Sequence, residues 1–402
     1  MLTTDYVSKP FFSASLLSLP IIFLPFYRYE VGTLFLMLIG ITLLYKNKAS
    51  PNAALKAWTI LFLCMWFPMI ASLPDAISFK NSGITTLGHL RFYLSGVAII
   101  YLTQTPKTLE ILFGILAAAL LYLLLDNFIQ LSSGSSIFGT PLREGRINAP
   151  WPYEGNKMGL FVSFVAPVVV AYFLNARRYL IGITLLSIAL YLVTMSGTRG
   201  AWLSALTSLF IAILFWIWVK GKSTIKPLIG IFLLISLSAT LLYQNSSAVK
   251  NRALKTFQAS DMTLQSLQKA SGRLDGWLEA ISIVSENPIN GIGARGFRYT
   301  DGPFAKKHGH THSTTLEILA GTGLIGALGY LLFYLNIFKT FKAHFGQSRI
   351  LITGALCSLI AITSPLSMSL AFYSSNKATV IWWIAAVFIG LAFYRDRNAS
   401  PS

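Results

Sequence analysis

His308-Gly309-His310-Thr311-His312-Ser313-Thr314-Thr315-Leu316-Glu317-Ile318-Leu319-Ala320-Gly321-Thr322-Gly323-Leu324-Ile325-Gly326 decides how this chain is read. Polar residues give way at Leu316 to an apolar run that continues past residue 330. A long polar loop thus meets the mouth of a hydrophobic helix. A histidine at such a junction, with arginines in the same loop, is equipped for acid–base chemistry on an anionic substrate. The positive end of the helix beginning near Thr314 favours a neutral imidazole at His312, as a general base requires.

The rest of the chain is consistent with a membrane setting. Of its 402 residues 54% are hydrophobic and 11% charged, with a mean hydropathy of +0.62; a soluble domain carries roughly 25% charged residues. Apolar stretches recur near 10–27, 30–45, 57–73, 84–103, 109–131, 157–175, 180–195, 201–219, 227–243, 314–337, 350–373 and 378–394. They predict an all-α polytopic membrane protein with about 12 transmembrane helices, residues 1–402 forming one membrane domain. The first stretch follows Lys9 like a signal sequence but has no clear small-residue cleavage site, and is read as an uncleaved helix. Cys64 and Cys357 both lie in apolar stretches and offer neither a disulfide framework nor a thiolate metal site.

A net charge of +18 would suggest nucleic acid in a soluble protein. In a membrane protein it first reflects Lys- and Arg-rich cytoplasmic loops, so no nucleic-acid partner is expected. With the N-terminus in the cytoplasm, 15 of the 32 basic residues fall on inside segments, and the C-terminus returns to the cytoplasm. Nine others lie in the long outside loop 244–313, inserted between the ninth and tenth spans and accompanied by only five acids. That excess points to an anionic partner on the outer face, or more simply to attraction for anionic lipid headgroups. A second outside loop, 132–156, is rich in Gly, Pro and Ser and carries Arg143 and Arg146.

Three constellations could carry chemistry. Ser196-Gly197-Thr198-Arg199-Gly200-Ala201-Trp202 puts Arg199 at the start of the eighth span, where the helix dipole disfavours a cation unless an anion lies between them; the bland reading is an Arg that snorkels. Leu274, Trp277, Leu278, Ile281 and Val284 recur at helical spacing, predicting an amphipathic helix on the membrane surface or against the bundle, with Ser271 as N-cap and Arg273 near its start. The bland reading there is a surface pair of Arg273 with Asp275 or Glu279. The third is His312 through Glu317, followed by Gly321, Gly323, Gly326 and Gly329 as a small-residue face for helix packing. His308, His310 and His312 would share a face on a strand and could bind zinc, but on a helix they would not converge. Gly291-Ile292-Gly293-Ala294-Arg295-Gly296 matches a dinucleotide fingerprint without the flanking strand and helix that fingerprint needs, and is read as a tight turn. Asp126, inside the fifth stretch, is the best hook for a proton-coupled transporter.

These motifs together resemble the O-antigen ligase/polymerase family, and the O-antigen ligases within it. Ser196–Trp202 resembles the family's S-x-x-R-G-A-W segment, Arg273–Phe297 its R-x-x-x-W, N-P-x-x-G-x-G and F stretch, and His312–Gly326 its H-[SN]-x-x-L segment; Asn156–Gly159 is a weaker match. The resemblance implies an inner-membrane glycosyltransferase of GT-C type with a periplasmic active site. It would transfer O-antigen glycan from undecaprenyl pyrophosphate to a sugar of the lipid A–core oligosaccharide, without nucleotide or metal. His312 would be the base, and Arg199 and Arg273 the pyrophosphate ligands. Arg143, Arg146, Arg295 and Arg298 would steer substrate, and Glu317 would orient the base. The same donor serves O-antigen polymerases and protein O-oligosaccharyltransferases. A lipid-linked oligosaccharide transporter would need charges deep in several spans, where only Asp126 and Arg91 stand out.

Overall fold

The computed structural model describes residues 9–24, 28–46, 52–142, 146–150, 158–220, 250, 273–345, 349–365, 367 and 371–394. Among them the regular structure is helical, with one isolated bridge between Ser135 and Pro141. The helices are α1 (Pro10–Ile22), α2 (Tyr29–Tyr45), α3 (Ala53–Ala71), α4 (Phe79–Gly88), α5 (Leu90–Leu102), α6 (Pro106–Ser133), α7 (Met158–Asn175), α8 (Tyr179–Met195), α9 (Arg199–Lys220), α10 (Leu274–Glu286), α11 (Pro303–His308), α12 (Thr314–His344), α13 (Arg349–Thr363) and α14 (Ser375–Ala392). Five of them, α3, α6, α7, α12 and α14, are long and apolar enough to cross a membrane, and five more are apolar but shorter. The predicted ninth span, 227–243, lies outside the described residues.

Most boundaries fall within about five residues of the sequence reading; three do not, the first being 314–337, which runs on as α12 to His344. The stretch 84–103 divides into α4 and α5 at His89, whose Nδ1 lies 2.7 Å from the Thr85 carbonyl. The stretch 350–373 is helical only to Thr363, because the residue before Pro365 is pushed out of the helical region.

The bundle buries one large apolar core. α7 packs on α8 and α13, α2 on α5, α3 on α12, and α14 on α5 and α13. Gly96 lets the Trp58 ring lie against α5, and Trp58 and Phe62 both meet Trp382 of α14. The outer faces are apolar too. Leu34, Phe35, Leu38 and Ile41 of α2, Leu206, Phe210 and Leu214 of α9, and Leu324, Leu328, Leu331 and Leu335 of α12 are all exposed at helical spacing. In water each would forfeit about 25 cal/mol per Å² of apolar surface; such stripes belong against hydrocarbon. The chain is a polytopic helical membrane protein.

Connections sort to opposite ends of the bundle. At one end Arg91 bonds Ser375 at 2.8 Å and approaches Glu30 at 3.5 Å, and Asn290 donates to Asp75 at 2.6 Å. At the other, Glu110 pairs with Lys107 and Arg178, and Gln104 donates to the Gly390 carbonyl. The candidate residues among those described lie at the first end.

The four glycines of α12 do not form one helix-packing face. Gly329 meets α3 at Cys64 and Pro68, whereas Gly321 and Gly323 receive the turn 287–293. α12 breaks at Gly323, where φ is 59° and ψ is −157°. Into the break come the carbonyls of Pro288 and Ile289, accepting from Leu324 and Ile325, while Ile292 donates to Ala320 at 2.9 Å. The Gly291–Gly296 run is therefore a turn, as its flanks suggested. It is clamped between α12 and the loop before α4, where Ile77 donates to the Ile292 carbonyl.

Candidate functional site

α12 begins at Thr314 because Ser313 is extended and its hydroxyl accepts from the Leu316 N–H at 3.4 Å. His312 immediately precedes this cap with φ of +56°, the left-handed region. A non-glycine residue there costs on the order of 1–3 kcal/mol and persists where its surroundings over-determine it. Those surroundings are plain on one side: the Glu317 carboxylate accepts the Thr311 N–H at 3.1 Å and lies 3.3 Å from its hydroxyl. Ser313 N–H in turn donates to that hydroxyl at 3.2 Å.

The loop leading to His312 is held from α10. Glu279 accepts the N–H groups of Phe304 and Ala305, at 2.8 and 3.1 Å, and so caps α11. Gly276 and Ala280 bury against Phe304, while Leu278 and Ile281 are exposed. The predicted amphipathic helix thus packs one face on the bundle and leaves apolar side chains on the other. Its N-cap is Arg273 itself rather than Ser271, which lies outside the described residues. Glu279 serves α11 as a cap.

The His312 ring is crowded and partly buried. It lies 3.9 Å from the His310 ring and 5.6 Å from His308, centre to centre, with Phe304 edge-on at 6.1 Å. Its Nδ1 is buried without a hydrogen-bond partner. Burial, then the neighbouring His310, Arg273 and His308, pushes its pKa down to about 3. The imidazole is neutral at physiological pH. Among the described residues no group of three His, Cys, Asp or Glu side chains is arranged to hold a metal ion.

The structure therefore brings Arg273 within electrostatic reach of His312. Arg199 opens α9 at the same end of the bundle, after a turn in which Gly197 has φ of +60°. A Cβ on Gly197 would lie 2.6 Å from Arg146 Cδ, so the Arg146 side chain runs over this turn. Trp202 closes it by donating to the Val193 carbonyl at 3.1 Å, and Gly159, from the weaker motif, abuts Ser196. Arg295 is half-buried in the clamped turn, its charge acting on Glu317 and His89. Arg298 is exposed and packs along Gly309. Arg143 lies outside the described residues.

Two further residues stand out. Asp126 is bonded within the fold: Oδ1 accepts the Ile137 N–H at 2.9 Å and Oδ2 the Gln130 amide at 2.7 Å. Gln130 also pairs with both backbone groups of Asn148, so the two side chains tie the loop carrying Arg146 to α6. Lys377, in the first turn of α14, went unnoticed in the sequence. It is fully buried and donates to Thr314 Oγ1 at 3.0 Å. A lysine near the start of an apolar stretch, followed by no partner in sequence, was the available signal.

Fold and site together define an integral membrane protein with a neutral histidine and an arginine at one face of its bundle. Residues 184–331 match the family described as O-Antigen ligase. The matched stretch runs from α8 into α12 and contains Arg199, Arg273, Arg295, Arg298, His312 and Glu317. Over this stretch, which covers residues 184–331 of the 402, the chain is similar to the O-antigen ligase family. Among curated proteins none matches it.

Proposed function

We propose that the protein is an O-antigen ligase of GT-C type, transferring O-antigen glycan from undecaprenyl pyrophosphate to a sugar hydroxyl of lipid A–core with inversion at the anomeric carbon. The observation that carries this reading is the neutral, desolvated His312 beside Arg273 at a helix N-terminus. His312 takes the proton of the acceptor hydroxyl as its oxygen bonds to C1 and the C1–phosphate oxygen bond breaks. The leaving pyrophosphate keeps that electron pair, and Arg199 and Arg273 hold its charge by forked hydrogen bonds. Two guanidinium groups with helix N-termini can do this without a metal ion. Arg146 and Arg298 steer the anionic substrates. The site faces the periplasm from the inner membrane, with both termini in the cytoplasm.

The test is purified protein in detergent, incubated with an undecaprenyl pyrophosphate glycan and lipid A–core. A single mobility shift of the core is expected, and His312→Ala should lower its rate by about 10²–10⁴-fold. A ladder growing on the lipid carrier would assign a polymerase instead, glycan on a protein acceptor an O-oligosaccharyltransferase. Uptake of lipid-linked glycan into vesicles without transfer would assign a transporter.

A further inference from the structure

Lys377 is a buried amine that nothing in the reaction scheme uses. Its side chain has no exposed surface, its Nζ lies 5.4 Å from the centre of the Phe372 ring, and its hydrogen bond runs to Thr314 Oγ1. Thr314 passes that bond on, its hydroxyl and its N–H both donating to the Ser367 carbonyl at 3.0 and 3.2 Å. One turn further into α12 is Glu317, 4% exposed, and the two charges act on each other. A buried ammonium costs several kcal/mol unless it is compensated. Here the compensation is local, and it lies on the other helix.

The two buried charges bracket His312. Glu317 fixes Thr311 before it, and Lys377 fixes Thr314 after it. Between them stands the residue whose left-handed backbone needs to be over-determined. We propose that Lys377 is a positioning residue for the transfer reaction: through Thr314, and opposite Glu317, it locks residues 311–314 so that the His312 imidazole is presented in one place. This rests on His312 being the base, and extends the site to α14, which lies beyond the matched family stretch.

The experiment compares full-length wild type, Lys377→Met, Lys377→Arg, Glu317→Gln and the Lys377→Met/Glu317→Gln double variant. Two readouts are taken: transfer kinetics, and the rate of ethoxycarbonylation of His312 relative to His344, by peptide mass spectrometry. His344 lies in the last turn of α12 at the far end of the bundle and serves as the internal reference. Lys377→Met should lower kcat about ten- to a hundredfold, as a small displacement of a reacting group does, with the donor KM changed within about twofold. The His312:His344 modification ratio should rise. Lys377→Arg should retain most activity. The double variant should recover part of kcat, because neither buried charge is then left alone. Unchanged kcat or an unchanged ratio in Lys377→Met overturns the proposal. So does equal acceleration at both histidines, which marks general loosening of the fold. Failure of wild type to transfer glycan overturns the ligase reading instead, and the modification ratio still decides whether Lys377 holds His312.

Discussion

Glu317 reaches back across His312 to Thr311, accepting its backbone N–H at 3.1 Å and facing its hydroxyl at 3.3 Å. A residue five positions on does not share the histidine's helix face, and it does not need to. It acts on the loop rather than on the ring. Glu317→Ala leaves the buried Thr311 N–H without its acceptor, a loss of about 1–3 kcal/mol. We expect a lower thermal midpoint and a lower kcat, with the donor KM nearly unchanged. Loss confined to KM would mean that Glu317 contacts substrate instead.

The pKa of about 3 at His312 fixes the sign of a pH effect. An unfolded histidine titrates near 6.5. Below that pH the unfolded chain takes up a proton at this position and the native protein does not. Native stability therefore falls as pH drops from about 6.5 toward 3, by up to about 1.4 kcal/mol per unit, and the contribution is flat above 6.5. His312→Gln removes it. Thermal unfolding in detergent between pH 7 and pH 4 should show a shallower acid decline for the variant; parallel declines would mean that His312 is readily protonated in the native protein.

Asp126 separates the enzyme from the transporter. Its Oδ1 serves the Ile137 N–H, and an asparagine Oδ1 can serve it as well. Asp126→Asn sets a second donor against the Gln130 amide, which should cost about 1–3 kcal/mol, but should keep transfer close to wild type. Asp126→Ala strips the acceptor, frees the loop around Arg146, and should make residues 134–150 more sensitive to protease. Loss of activity in the asparagine variant, with the loop still protected, would give the carboxylate a proton-carrying role.

Legibility followed the physics of each signal. Helices were readable because lipid on one side and core on the other both demand apolar residues, so their runs are long; the break at His89 was not, since composition barely changes there, whereas the end at Thr363 was marked by Pro365 and masked only by the apolar residues that follow. His312, Arg199 and Arg273 were visible as polar residues at the starts of predicted helices, and the structure puts them at helix starts. Glu317 was visible but its partner was not, because the bond runs through a loop backbone. Lys377 was hidden because its partners lie 60 and 63 residues earlier in the chain: the charge of Glu317 acts on it, and Thr314 bonds it. The glycines of α12 were seen as sites of close helix packing; a helix, α3, does approach Gly329, but at Gly321 and Gly323 the approaching group is a loop backbone.

Gly323 is where that approach is tightest. Its φ of 59° with ψ of −157° is a region essentially reserved for glycine, and an added Cβ would lie 2.1 Å from the Ile289 carbonyl oxygen. The same carbonyl accepts from Ile325, so the methyl cannot be relieved without breaking a bond that restarts the helix. Gly323→Ala should therefore cost about 3 kcal/mol or more and unclamp the turn 287–293 from α12. Gly321→Ala is the graded comparison: its nearest neighbour, the Gly293 carbonyl, lies at 3.3 Å, a contact that a few tenths of an ångström relieves. Gly114→Ala in α6 is the control, for its Cβ meets nothing within 4 Å, and a mid-helix alanine should stabilise by up to about 1 kcal/mol. Thermal midpoints should then order as Gly114→Ala, wild type, Gly321→Ala, Gly323→Ala from highest to lowest. If Gly323→Ala melted with wild type, α12 would run unbroken through residue 323, and the turn would have to reach the His312 loop by some other route.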